Sequence, residues 1–215
     1  MNQDNTLHSS IERLIELLDL ERIEENIFRG ESQDIGSPQV FGGQVLGQAL
    51  IAASRTVENR DVHSLHAYFL RRGDFEAPIV YEVDRARDGG SFSNRRVIAV
   101  QHGEQIFNMT ASFQKPEEGL EHQTTMPEVP QPEELEDLRD LIKPEWVEKL
   151  PPRMQRMLKR QRPFEVRPVE LPYFLNNKIK EPIKHAWIRV KGLISKDFQL
   201  HQALLAYISD YNLLT

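Results

Sequence analysis

Apolar residues recur at helical spacing in three stretches of the chain and at alternating spacing in the segments between them. Over Ile11–Leu20 the residues Ile11, Leu14, Ile15, Leu17 and Leu18 form one stripe, which predicts a short amphipathic helix. Over Ser37–Val57 the stripe is Phe41, Val45, Ala49, Ala52 and Ala53, with Ser37 and Pro38 as the expected N-cap and first-turn pair. Lys196–Leu214 is the third helix, with Asp197 as its N-cap. Elsewhere the period falls to two. Asn26–Ser32, Val62–Leu70, Pro78–Arg87, Phe92–Gln101 and Gln105–Gln114 read as strands rich in Val, Ile, Phe and Tyr. Asp88-Gly89-Gly90 and His102-Gly103-Glu104 read as hairpin turns between them.

A strand, a helix and then four hairpin-linked strands predict an α+β fold, an antiparallel sheet curled around one central helix. From Lys115 the texture changes. Prolines at 116, 127, 130, 132, 144, 151 and 152 and the acidic run Glu133–Asp140 predict a linker with one or two short exposed helices. Strands then return at Pro163–Glu170 and Ala186–Lys191, ahead of the third helix. That helix carries an echo of the central one, Gln202-Ala203-Leu204-Leu205-Ala206 against Gln48-Ala49-Leu50-Ile51-Ala52. The same motif at the same place in a repeated strand–helix order predicts a duplicated domain. The expected organisation is a first domain over 1–115, a Pro/Glu-rich linker over 116–162, and the start of a second domain over 163–215.

The central helix carries three internal glycines, Gly42, Gly43 and Gly47, each costing about 1 kcal/mol against alanine. Such a run implies close backbone approach. The approaching group is either a sheet wrapped tightly round the helix or a ligand drawn to the N-terminal dipole. Composition narrows the chemistry. The absence of cysteine excludes a disulfide framework, a thiol nucleophile and thiolate metal sites. A net charge of −6 disfavours a nucleic-acid partner, and no stretch has the roughly 18 apolar residues of a membrane span. The N-terminal twenty residues show no secretory pattern, so the expected compartment is the cytoplasm. The basic stretch Arg153–Arg162 reads as a solvated helix face with Met154, Met157 and Leu158 turned inward. His63 and His66 lie three apart in a strand and so face opposite ways, which suits structural roles rather than a metal pair.

Asp210 is the most informative titratable residue. On the third helix it shares a stripe with Ala203, Tyr207 and Leu214. A carboxylate among apolar neighbours is costly unless hydrogen-bonded or useful, and the same burial can raise its pKa toward that of a general base. The other reading places it at the edge of the stripe, facing water.

The segments FRGES, QVFGGQVLGQAL, VHSLHAYFLRRGD, SFSNRRVIAVQHGEQIFNMTASFQ and HQALLAYISDYNLL together resemble acyl-CoA thioesterase II, the TesB-type family. The resemblance runs from about residue 10 to residue 215 and is weaker in the linker. It implies a double hotdog, two helices each wrapped by an antiparallel sheet, with the second copy incomplete over this chain. It implies hydrolysis of fatty acyl-CoA thioesters without a cofactor or metal, and a homo-oligomer. The Ser209-Asp210 pair matches the family's catalytic aspartate, so the resemblance assigns Asp210 a catalytic role. The hydroxyl and glutamine side chains that the family uses with it would come from later strands, beyond Thr215. Gly43 and Gln44 are the expected acyl-CoA-lining segment, with packing alone as the other reading, and backbone N–H groups near a hotdog-helix N-terminus are expected to polarise the thioester carbonyl. Two alternatives stand beside this reading: a non-catalytic acyl-CoA-binding module, and a hotdog hydratase or dehydratase with His201 as its base.

Overall fold

A computed structural model of the chain describes residues 4–148, 152, 155, 158, 160–171 and 183–211, with side chains described from residue 10 onward. Two compact units result. One comprises residues 15–119 and 195–211; the other comprises the described parts of 1–14 and 120–194.

The larger unit is the expected sheet around a helix. Helix α1 (Asp4–Leu18) ends just before the short strands β1 (Glu21–Glu24) and β2 (Ile27–Gly30). Helix α2 (Gly42–Ser54) follows, then β3 (Asp61–Phe69), β4 (Ile79–Asp88), β5 (Phe92–Gln101) and β6 (Glu104–Gln114). The six strands pair antiparallel in the order β1-β2-β4-β5-β6-β3, so the chain crosses the whole sheet through α2. Along β5, Ser93, Arg95, Val97, Ala99 and Gln101 are all buried, as a two-residue period requires. Val97 and Ala99 join Phe28, Ile79, Tyr81, Phe107, Met109, Ala111 and Phe113 around the α2 residues Ala49, Leu50, Ala52 and Ala53. Ile106 breaks the register between Ala99↔Phe107 and Val100↔Gln105, so that Ile106 and Phe107 are both buried. The β5–β6 turn is of the primed type, with φ of 50° at His102 and 76° at Gly103, which matches the strand twist.

Helix α4 (Phe198–Ser209) belongs to this same unit and lies against α2. Its N-cap is the one expected, Asp197, whose Oδ1 accepts the Gln199 N–H at 3.0 Å. The α2 start differs from expectation. The helix begins at Gly42 after Phe41, and no side chain of the preceding residue caps it. Ser37 and Pro38 lie outside it, in the segment leading in.

The smaller unit holds the antiparallel pair β7 (Phe164–Pro168) and β8 (Ala186–Val190), together with the single-turn helix α3 (Pro144–Val147) and a 3₁₀ turn over Pro132–Glu134. Part of the Pro/Glu-rich stretch is stitched to that pair. Leu138 is buried and its N–H donates to the Val166 carbonyl at 2.8 Å, while Trp187 Nε1 donates to the Pro130 carbonyl at 2.9 Å. Met154, Met157 and Leu214 lie outside the described residues.

Candidate active site

The glycine run of α2 is explained by α4. A Cβ on Gly43 would collide with the main-chain carbonyl oxygen of Tyr207, and one on Gly47 would sit 3.2 Å from the Ala203 oxygen and 3.5 Å from the Tyr207 Cβ. The approaching group is therefore a second helix backbone. Ala203 of the echoed Gln202–Ala206 motif lies at this contact, and Ala49 of the Gln48–Ala52 motif joins the core cluster; both are fully buried.

The close crossing carries Asp210 to the free end of α2. Asp210 is the C-cap residue of α4. Its Oδ2 accepts the Gly43 N–H at 2.9 Å, across 167 residues of sequence. A helix N-terminus leaves its first N–H groups without intrahelical partners and attracts negative charge, so a carboxylate from another helix serves as the missing cap. The Gln44 and Val45 N–H groups turn back to the Phe41 carbonyl, at 3.0 and 3.4 Å.

Aromatic side chains gather at the same start of α2. The Phe41 ring meets Tyr207 and Tyr211 edge-on, with centroids 5.1 and 5.2 Å apart. Phe69 and the Asp210 carboxylate both crowd Gly42, where an added Cβ would lie 2.9 Å from Phe69 Cε1 and 2.7 Å from Asp210 Oδ2. Burial raises the Asp210 pKa above the ordinary aspartate value of 3.8, and the Gly43 hydrogen bond opposes it without cancelling it. Asp210 is thus half-buried and hydrogen-bonded, the first of the two readings its stripe allowed. Among the described residues its other oxygen, Oδ1, accepts no hydrogen bond, so it is the oxygen available to a water or a substrate proton.

Gly43 and Asp210 are thereby brought together. Gln44 is placed differently. Its side chain is fully buried and faces the segment before the helix, where Nε2 donates to the Glu31 carbonyl at 3.1 Å and Oε1 accepts the Gln33 N–H at 3.2 Å. Gln48 repeats the pattern one turn on. It donates to the Leu17 and Glu31 carbonyls at 2.6 and 2.9 Å and accepts the Tyr81 hydroxyl at 2.7 Å. His201 stands at the other end of α4, where Nε2 contacts the Ser195 carbonyl at 2.8 Å. His63 contacts the Ser112 hydroxyl at 2.9 Å on an exposed strand.

Residues 29–114 match the family described as the acyl-CoA thioesterase N-terminal domain, and residues 154–215 match the acyl-CoA thioesterase family. The chain is 44% identical over 203 residues to acyl-CoA thioesterase 2 of Haemophilus influenzae, covering 94% of this chain and 71% of that protein. The chain belongs to the acyl-CoA thioesterase family. Human acyl-coenzyme A thioesterase 8 is 42% identical over 203 residues, with 91% of this chain and 64% of the human protein covered. The chain thus spans roughly two thirds of the length of these thioesterases. Among solved structures, the acyl-CoA thioesterase II TesB2 of Mycobacterium marinum superposes with a TM-score of 0.69 at 40% identity, covering 93% of this chain and 67% of that one. A hot dog protein of Alicyclobacillus acidocaldarius, at 22% identity and a TM-score of 0.68, shares the fold. The fold is therefore the hotdog expected of TesB-type thioesterases, with α2 as the helix the six-stranded sheet surrounds. The carboxylate at the α2 N-terminus was named from its Ser-Asp context, but the aromatic cluster beside it was not. The one sequence signal for that cluster is the placing of Phe41 directly before Gly42-Gly43.

Proposed function

We propose that the protein hydrolyses fatty acyl-CoA to the free fatty acid and CoA, with Asp210 as the general base. The observation that carries the proposal is the Asp210 carboxylate anchored by one oxygen to the Gly43 N–H beside an aromatic cluster. Anchoring fixes the direction of Oδ1, and desolvation makes the carboxylate more basic. Oδ1 removes a proton from a water molecule as the water oxygen attacks the thioester carbonyl. The tetrahedral adduct then expels the CoA thiolate, which recovers the proton from Asp210. The first turn of α2 at Gly43 and Gln44 faces the acyl-CoA through its helix dipole rather than through free donors, since the Gly43 and Gln44 N–H groups are held by Asp210 and the Phe41 carbonyl and the Gln44 side chain by Glu31 and Gln33. The positive end of the helix favours the charge that gathers on the carbonyl oxygen.

A hydratase or dehydratase would need a histidine beside this aspartate. His201 lies nine positions earlier on α4 and is bonded to the Ser195 carbonyl, which favours the hydrolase. No helix among the described residues is long and apolar enough to cross a membrane. The proposed setting is the cytoplasm, with assembly into a homo-oligomer that sedimentation of the purified chain would reveal.

The test is free-thiol release from a long-chain acyl-CoA by the parent and by Asp210→Asn. Release by the parent, reduced at least a hundredfold in the variant, supports the proposal. Equal release by both overturns the role of Asp210. Acyl-CoA binding without thiol release by the parent points instead to a binding module.

A further inference from the structure

The tip of the β4–β5 hairpin carries a polar cavity of about 640 Å³ in the larger unit. Cross-strand pairing builds its floor. Arg87 of β4 stands opposite Asn94 of β5, and Asn94 opposite Ser112 of β6. Ser93 and Arg95 are buried, so alternation turns Phe92 and Asn94 to the other face of the sheet, away from the core. Phe92 is 47% exposed there, and its ring meets that of His63 at 70° with centroids 5.8 Å apart. We propose that this cavity binds a phosphorylated nucleoside. Phe92 stacks on the base, Asn94 reads the base edge, and Arg87 and the hairpin turn hold the phosphate.

Arg60 sets the turn for an anion. Its Nη2 donates to the Gly89 and Gly90 carbonyls at 2.7 and 3.1 Å. In a trans peptide the N–H points opposite to the C=O, so drawing these two carbonyls to Arg60 turns the Gly90 and Ser91 N–H groups away from it. Among the described residues neither N–H is hydrogen-bonded, and a Cβ on Gly90 would meet nothing within 4 Å. Successive N–H groups of this kind form an anion-binding concavity. Charge points the same way. The carboxylate of the hairpin, Asp88, is taken by Arg95 Nη2 and Ser93 Oγ, both at 2.7 Å. Arg60 and Arg87 form no ion pair among the described residues, although Glu58 and Asp61 flank Arg60 in sequence. Arg60 Nε is buried without a hydrogen-bond partner.

The rest of the cavity suits a base. The Asn94 amide makes no hydrogen bond among the described residues, and it offers the donor and acceptor pair that matches the edge of adenine. Stacking of a base on an aromatic side chain is worth about fivefold to a hundredfold in affinity. A cavity of this volume takes one small ligand, a mononucleotide rather than a strand of nucleic acid. The site stands apart from Asp210 and does not rest on the hydrolase reading. Phe69, the last residue of β3, crowds Gly42, whereas Asp61, the first, lies level with Phe92 through their shared partner Gln114. Eight steps of extended strand put roughly 26 Å between these two ends.

The test is calorimetric titration of the full chain with ADP, with adenosine 3′,5′-bisphosphate (the nucleotide end of CoA), with adenosine and with inorganic phosphate. Both nucleotides are expected to bind at least about tenfold more tightly than adenosine or phosphate. Arg87→Gln is expected to weaken nucleotide binding at least about fivefold and to leave adenosine binding unchanged. Phe92→Ala is expected to weaken nucleotide and adenosine alike by about fivefold or more. Arg71→Gln, which breaks the ion pair with Glu104 at the opposite end of the sheet, is expected to bind like the parent, as is Asp210→Asn. Displacement of ADP by CoA would name the nucleotide end of CoA as the natural occupant. ADP binding undiminished by saturating CoA would name a free nucleotide, and either result upholds the site. No nucleotide binding by the parent, or binding unchanged in both Arg87→Gln and Phe92→Ala, overturns the proposal. Because binding is read without turnover and Asp210→Asn retains it, failure of thiol release would overturn the hydrolase reading alone.

Discussion

The main-chain carbonyl oxygen of Tyr207 occupies the space into which a side chain on Gly43 would project. Backbone cannot swing aside as a side chain can, so Gly43→Ala must push α4 away from α2. The alanine regains about 1 kcal/mol of helix propensity, while overpacking of this kind costs about 1–3 kcal/mol or more. The expected result is a net loss of about 2 kcal/mol in urea unfolding. Gly47→Ala meets the Ala203 oxygen at 3.2 Å and the end of the Leu18 side chain at 2.9 Å, a milder clash. Its stability should lie within about 1 kcal/mol of the parent. Equal losses for the two variants would contradict the account of why α2 carries glycines.

Gly42→Ala separates position from stability. The atoms it would crowd, Asp210 Oδ2 and the Phe69 ring edge, belong to side chains that can move. The fold should survive with a loss of about 1 kcal/mol or less, while the carboxylate swings off the Gly43 N–H. Thiol release should then fall at least tenfold in kcat with little change in KM, since a misaligned base loses the transition state more than the substrate. Normal turnover in Gly42→Ala would show that the Gly43–Asp210 bond does not orient the base.

These two glycines also show where reading the sequence stops. Periodicity located α2, strands β2 to β6 and α4 to within about five residues, because a two-residue or 3.6-residue period reports burial of one face directly, whereas β1, exposed at all four positions, gave no such signal. The glycine run announced a close approach, but only the three-dimensional pairing of α2 with α4 could say that the approaching group was Tyr207 and Ala203 backbone. Asp210 was legible through its Ser-Asp context and its place on an apolar stripe. Its partner was not, because Gly43 lies 167 residues away and donates through a main-chain N–H that every residue but proline possesses. The start of α2 went wrong for a related reason. Ser37-Pro38 is a sound local cap signal, but the cap came from Asp210. Gln44 and Gln48, polar residues on a helix otherwise read as packing, gave no sign that their amides would hold the Glu31 carbonyl.

Arg95 tests a part of the core that alternation places inside and side-chain polarity would not. Its guanidinium is buried, and its five hydrogen bonds go to the Thr56 hydroxyl at 2.8 Å, the Thr56 carbonyl at 2.9 Å, Asp88 Oδ1 at 2.7 Å, and the Asn94 and Arg87 carbonyls at 2.9 and 3.1 Å. It thereby ties the segment after α2 to the β4–β5 hairpin. Arg95→Met keeps the apolar stem and deletes every donor, leaving the buried Thr56 hydroxyl and carbonyl without this partner while the half-exposed Asp88 turns to water. The expected cost is about 3–5 kcal/mol in chemical denaturation. A loss under about 1 kcal/mol would show that water replaces the guanidinium there.

Asp210 gives opposite signs for activity and stability, which makes its pH dependence diagnostic. Its folded pKa lies above 3.8, with burial the largest cause and the Gly43 N–H opposing. The folded state therefore holds this proton more tightly than the unfolded chain does. The group favours folding at pH below 3.8, and that contribution is lost as pH rises through the folded pKa, leaving a penalty at neutral pH. Asp210→Asn removes the charge and keeps an oxygen able to accept the Gly43 N–H. The variant should therefore melt at a higher temperature than the parent at pH 7, and the gap should narrow as the pH is lowered through the Asp210 titration. Activity runs the other way. The parent's kcat/KM should fall with unit slope as acid protonates the base, with its midpoint above 3.8, and the variant's residual rate should lack that limb. A variant that is less stable than the parent at pH 7 would mean that the Gly43 hydrogen bond outweighs desolvation, and a parent midpoint at or below 3.8 would remove the basis for a general base at Asp210.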